Sequence, residues 1–167
     1  IVMVAILVKL TSKGSVLYWS DRVGRKKKIF RMPKFRTMQV ETPVVATHLM
    51  ANPDKYLSSF GVFLRRSSLD ELPQLFSILK GDMSFVGPRP ALFNQDDLIA
   101  LRTEKGVDKL VPGLTGWAQV NYPYGDSVHG ALEKLEYDLY YVKHRSLFFD
   151  IWILVRTVGT VLALRGR

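Results

Sequence analysis

Apolar residues open the chain as an unbroken run, "IVMVAILV", and nearly fill its last stretch, "SLFFDIWILVRTVGTVLAL". Between these ends the period of the pattern changes several times. "SVLYW" reads as a strand after the break at Gly14, "DRVGRKKK" as a turn, and "KIFRM" alternates charged and apolar positions as a returning strand does, with Pro33 expected to end it. This predicts a β-hairpin. Residues 41–52 show no clean period and read as loop, with a short helix at most. "PDKYLSSFGVFLRR" carries a helix-entry signal and an internal glycine, consistent with one or two short helices. A helix is expected from Asp70 to about Lys80, stopped by Gly81, followed by a short strand "MSFV" that leads into "GPRP". A further helix is expected over 94–105, a strand at "GWAQV", and two final helices over 128–144 and 147–165. The sum is an α+β fold, mostly helical, with one short hairpin and amphipathic C-terminal helices.

The two apolar ends each admit two readings. The first eight residues are too few to span a bilayer, which takes roughly 20 apolar residues. They read either as the back half of a longer hydrophobic segment or as a short core helix. The last helix is apolar around most of its girth, but Asp150, Arg156 and Gly159 interrupt it. Lying in a lipid interface, with Trp152 at headgroup depth, costs less than spanning; packing on the protein's own core is the alternative. Exposed apolar surface there is also compatible with a homo-oligomer.

Composition narrows the chemistry. A chain of 167 residues is one domain's worth, and with no cysteine it has neither disulfides nor thiolate metal ligands. The net charge is +9, and eight cations between Arg22 and Arg36, with no acid among them, account for all but one unit of it. Such a field points to phosphate, in lipid headgroups, nucleotides or nucleic acid. One alternative is therefore a non-catalytic basic module binding anionic lipid or nucleic acid, with Trp19, Phe30 and Phe35 as stacking residues.

That reading leaves "SLDELPQLFSILKGDMSFVGPRP" unexplained. Asp70 and Glu71 stand at the mouth of an apolar helix, where Ser68 and Glu71 match a capping box, or Asp70 is itself the cap. The same place suits an ionised carboxylate beside a bound phosphate. Such a carboxylate can act as a nucleophile if nearby cations cancel the repulsion. Glu71 is a candidate magnesium ligand, since Mg²⁺ favours carboxylates and substrate phosphates. Arg89 offers a planar fork between two prolines, and Lys34 and Arg36 are further candidate phosphate-binding cations. On residues alone, capping and catalysis both remain open.

"KFRTM", "SLDELPQL", "LKGDMSFVGPRP" and "PGLTGWAQVN", in this order, resemble the bacterial sugar transferase family, and the similarity runs from about Ile6 to the end. These are monotopic phosphoglycosyltransferases that load a sugar phosphate onto a polyprenyl phosphate carrier. The resemblance implies a UDP-sugar donor, an undecaprenyl-type phosphate acceptor, Mg²⁺, and membrane lipids as partners, with nucleic acid not among them. It implies Asp70 as covalent nucleophile, Glu71 as metal ligand, and Lys34 and Arg89 as phosphate-binding. Asp138, in "EYDLYY", matches another acidic position of the family and joins the candidate substrate-binding residues. Residues 1–14 would be the remnant of a re-entrant membrane helix and 15–167 a single catalytic domain on the cytoplasmic face of the bacterial inner membrane. Many small members carry Asn-Gly-Arg after the "GWAQV" block. Here Asn121, Tyr122, Pro123 and Tyr124 follow, a form closer to members that start exopolysaccharide or O-antigen synthesis, and the arginine is missing or supplied from elsewhere.

Overall fold

A computed structural model describes residues 1–40, 42, 53–122 and 128–163. The loop expected over 41–52 therefore lies outside the described residues, except for residue 42, as do Pro123 and Tyr124.

Helix α1 (Val2–Thr11) leads into the hairpin of β1 (Leu17–Val23) and β2 (Ile29–Phe35). Their antiparallel register runs from Leu17 opposite Phe35 to Val23 opposite Ile29. Pro33 does not end β2 but sits inside it, opposite Trp19. Outside the ladder, Arg36 N–H donates to the Val16 carbonyl and Gly24 N–H to that of Lys28. Antiparallel pairs alternate, so the even residues of β2 bond β1 and the nitrogen of Pro33 faces away. Among the described residues β2 is the edge of a sheet ordered β2-β1-β4, with β4 at Ala91–Leu92, so no ladder bond is lost.

Helix α2 (Ser59–Arg66) is capped by Ser58, whose hydroxyl accepts from Gly61 N–H at 3.0 Å. The helix expected over 70–80 comes as two pieces: a 3-10 helix over Leu69–Gln74 and α3 (Leu75–Lys80), which Gly81 ends in a left-handed conformation. The capping expectation fails here. Ser68 is the cap position, it is itself left-handed (φ 54°), and it makes no side-chain capping bond. Asp70 lies inside the 3-10 turn and is buried.

Strand β3 (Ser84–Val86) pairs in parallel with β5 (Gly113–Thr115), while β4 (Ala91–Leu92) adds to β1. The "GWAQV" segment is not a strand but a short helix, α5 (Trp117–Asn121). The sheet residues are the preceding Gly-Leu-Thr, and Gly116 marks where the chain leaves the sheet. Glycine is required at this crossing: a Cβ on Gly113 would lie 2.1 Å from Gly87 N, and one on Gly116 2.2 Å from Gly87 O. The "GPRP" and "PGLTG" blocks thus touch backbone to backbone. Gly113→Ala is expected to destabilise the protein by about 1–3 kcal/mol, since the clash is with main chain that cannot rotate away. Urea denaturation of the two proteins checks this.

Helices α4 (Asp96–Glu104), α6 (Val128–His144) and α7 (Leu147–Leu162) complete the fold, with the last two close to their expected spans. Tyr141 O–H donates to Asp150 at 2.8 Å, joining α6 to α7. Arg156 of α7 donates to Asn121 and lies over the Trp117 ring.

Three small apolar clusters hold these parts. Val4, Val8, Phe35 and Leu64 form the first; Phe30, Met32 and Met83 the second; Val86, Tyr141 and Ile153 the third. Helix α1 thus buries one stripe, while Val2, Met3, Ile6 and Leu10 are exposed. Helix α7 likewise buries Ile153 and exposes Leu147, Phe148, Trp152, Val155, Val158 and Leu162. Among the described residues no helix is long and apolar enough to cross a membrane.

Candidate active site

The site is built on the 3-10 helix. Its repeat of three residues per turn eclipses i with i+3, so Leu69–Gln74 presents three two-residue faces. Leu69 and Leu72 pack on the first apolar cluster. Asp70 shares a face with Pro73, and Glu71 with Gln74. Strand β2 lies against this turn and brings Lys34, the next inward residue after Phe30 and Met32. The loop between β3 and β4 brings Arg89.

Two cations meet on one carboxylate oxygen. Lys34 Nζ is 2.8 Å from Glu71 Oε1, and Arg89 Nη2 is 2.7 Å from the same atom. Asp70 Oδ2 lies 4.0 Å from Lys34 Nζ. Both carboxylates are largely buried, their side chains 9% and 16% exposed. Burial favours the neutral acid for each, yet the two settle in opposite directions. For Asp70 burial prevails: helped by the neighbouring Glu71 charge and opposed mainly by Lys34, it raises the pKa above the usual carboxylate range. For Glu71 the charges and hydrogen bonds of Arg89 and Lys34 outweigh burial and hold the group well below that range. Burial also lowers the pKa of Lys34, against the pull of Glu71. Glu71 is therefore a fixed anion that assembles two cations. Asp70 is a buried carboxylate with less charge compensation than Glu71.

The candidates divide by position. Asp70, Glu71, Lys34 and Arg89 converge. Arg36 is engaged elsewhere, donating to the carbonyl and hydroxyl of Ser15 at 2.8 Å each. Asp138 is buried on α6 and paired with Arg102 of α4 at 2.6 Å, one step behind Arg89. The basic run does not form one surface. Arg22 donates to the Pro90 carbonyl, Arg25 to that of Lys109, and Arg31 lies 5.4 Å over Trp19. Phe30 and Phe35, offered as base-stacking residues, are buried in core clusters. Lys26, Lys27 and Lys28 at the hairpin tip are exposed.

Pattern reading did not single out Arg65, Gln74 or Arg102. Arg65 donates to the Thr37 hydroxyl at 3.1 Å and its charge acts on Asp70. Gln74 is 1% exposed, and its Nε2 is a buried donor with no partner. Its place three residues after Glu71 was the one available signal, and it needs the 3-10 period to be seen.

Among the described residues, no group of three His, Asp or Glu side chains could hold a metal ion. Magnesium does not require one, because it binds through one or two carboxylates plus substrate phosphates and water. Adjacent Asp70 and Glu71 supply hard oxygens of that kind, with Glu71 Oε1 already shared by two cations.

The sequence pattern of the family described as bacterial sugar transferase matches residues 1–164. Among curated proteins, the chain is 42% identical over 95% of its length to a UDP-glucose:undecaprenyl-phosphate glucose-1-phosphate transferase of Xanthomonas campestris pv. campestris. It is 40% identical over 93% of its length to the Escherichia coli K12 protein of that name. It is 36% identical over 95% of its length to a UDP-N-acetylgalactosamine-undecaprenyl-phosphate N-acetylgalactosaminephosphotransferase of Aeromonas hydrophila. The chain covers 34%, 34% and 38% of these relatives, so it spans about a third of their length. The match over nearly the whole chain includes the turn that carries Asp70 and Glu71 and the loop that carries Arg89: this chain belongs to the bacterial sugar transferase family.

Proposed function

We propose that the chain is the catalytic domain of a UDP-sugar:polyprenyl-phosphate sugar-phosphate transferase acting through a covalent aspartyl-phosphosugar. The observation that carries this reading is the meeting of Lys34 and Arg89, from a strand and a loop far apart in sequence, on Glu71 beside a buried, strained-for-charge Asp70. A diphosphate arriving there finds two cations and one carboxylate able to reach phosphorus.

In the first step an Asp70 oxygen bonds to the phosphorus that bears the sugar. The bond from that phosphorus to the bridging oxygen breaks, and UMP leaves with the electron pair. Lys34 and Arg89 offset the negative charge that gathers on the phosphate oxygens, the contribution expected of preorganised cations in a dry site. In the second step an oxygen of polyprenyl phosphate bonds to the same phosphorus and the Asp70 carboxylate is released unchanged. Magnesium, held by Glu71 with Asp70 nearby, would supply further charge neutralisation at the diphosphate. The relatives' names carry different sugars, glucose and N-acetylgalactosamine, so the sugar is set by contacts beyond this shared charge arrangement.

The exposed apolar stripes of α1 and α7 fit attachment to lipid, with Trp152 suited to headgroup depth. An acceptor with a polyprenyl chain requires such a surface. With a nucleotide-sugar donor, this reading puts the domain on the cytoplasmic face of the inner membrane.

A panel of UDP-sugars, with magnesium and undecaprenyl phosphate in detergent, tests the reaction by UMP release. At least one sugar is expected to release UMP in proportion to lipid-linked product. Salt-sensitive binding of anionic vesicles that survives Asp70→Asn, with no UMP from any sugar, would instead support the basic-module reading.

A further inference from the structure

Arg89 sits in a loop that cannot hold itself. Pro88 and Pro90 have no N–H, so the segment 88–90 has three carbonyls and a single amide donor. Each carbonyl is held from outside by a different element. Pro88 O accepts from Gly113 N–H at 3.0 Å, Arg89 O from Arg102 Nη1 at 2.7 Å, and Pro90 O from Arg22 Nη1 at 3.2 Å. Arg102 is in turn fixed by Asp138, 2% exposed, through Nη2 to Oδ2 at 2.6 Å. One guanidinium thus spends two donors in different directions, one on a buried carboxylate and one on the main chain of the residue whose side chain reaches Glu71.

We infer that Arg102 and Asp138 are positioning residues for the transfer reaction, setting the direction of the Arg89 guanidinium by gripping its backbone, and that Asp138 does not itself bind substrate phosphate. This rests on the proposed reaction and adds to it a specific route by which α4 and α6 act on the site. The geometry favours this role over simple ion pairing. A buried carboxylate needs a partner, but it does not need one whose other arm holds Arg89. Burial raises the pKa of Asp138, and Arg102 opposes that shift.

The test is a double-mutant cycle on UMP release. In the native protein Arg102→Leu is expected to lower kcat roughly 10–100-fold, the usual cost of freeing a supporting contact, with KM for the UDP-sugar changed less than about 3-fold. In an Arg89→Lys background the same substitution is expected to cost less than about 3-fold, because the group it positions is already altered. Arg102→Lys, which keeps the charge on a single donor nitrogen, should recover part of kcat, and Asp138→Asn, which keeps an acceptor, should fall between. If Arg102→Leu does not fold, Asp138→Asn takes its place in the cycle. Equal losses in both backgrounds, or a native kcat in Arg102→Leu, would overturn the inference. Failure of the wild-type chain to release UMP would count against the reaction instead. The Arg89 Nε–H NMR signal then decides the positioning claim: ordered in the native protein and averaged in Arg102→Leu if it holds, unchanged between them if it does not.

Discussion

Asp70→Asn is expected to lower sugar-phosphate transfer by roughly 10³-fold or more, the scale on which removal of a nucleophile acts, while making the protein more stable. The second half of this expectation follows from the direction of the pKa shift. Burial raises the Asp70 pKa above its unfolded value. Folding therefore takes up protons at this site, and its contribution to stability falls as pH rises from the unfolded pKa through the folded one. Above the unfolded pKa this site therefore costs the folded protein stability. Asparagine fills nearly the same volume without the charge, and Lys34 keeps Glu71 at 2.8 Å as its partner. A melting temperature higher by about 2–4 °C is expected for each kcal/mol relieved in a protein of this size. Thermal unfolding at pH 5 and pH 8 checks the sign, since the gain should shrink at the lower pH. Loss of activity with a lower melting temperature would point to damage rather than to loss of a nucleophile.

Glu71→Gln is expected to do the reverse for stability. It leaves Lys34 and Arg89 in a largely buried site without their shared anion, a change of the kind that costs about 3–5 kcal/mol. The Glu71 pKa is held below its unfolded value by Arg89 and Lys34 against burial. Its contribution is thus present above the unfolded carboxylate pKa and lost as pH falls through the folded one. Wild type and Glu71→Gln should differ most at neutral pH and converge in strong acid, as urea midpoints at several pH values would show. Transfer activity should fall roughly 10²-fold or more, because the two cations that the proposed mechanism sets against the diphosphate lose their common anchor. A variant as stable as wild type at neutral pH would mean that the two cations are held by other groups.

The parts of this picture that depend on local pattern were legible in the sequence. Alternation of charged and apolar residues gave the hairpin, and α4, α6 and α7 were placed to within a few residues. The acidic pair, Lys34 and Arg89 could be singled out because their residue types suit phosphate chemistry. What failed was geometric. Pro33 is permitted in β2 only because the register turns its nitrogen to the open edge, and register is not a local property. The alternation in "GWAQV" imitates a strand, but the close contact of Gly113 and Gly116 with Gly87 puts the sheet three residues earlier. Arg36 follows two residues after Lys34, yet it turns to Ser15 and leaves the charge cluster at Glu71 to Lys34 and Arg89. Arg102 could not be found by pattern at all. On a helix with little apolar bias it reads as a solvated cation, and its meaning comes from contacts 13 and 36 residues away.

The nature of the bond formed at residue 70 is the point on which the mechanism stands. Intact-protein mass spectrometry after incubation with a UDP-sugar and magnesium, without lipid acceptor, addresses it directly. A mass increase of one sugar phosphate, localised to the peptide containing Asp70, absent in Asp70→Asn and discharged by added undecaprenyl phosphate, is the result expected. Full transfer to lipid with no protein adduct at any time, or an adduct that persists in Asp70→Asn, would contradict it.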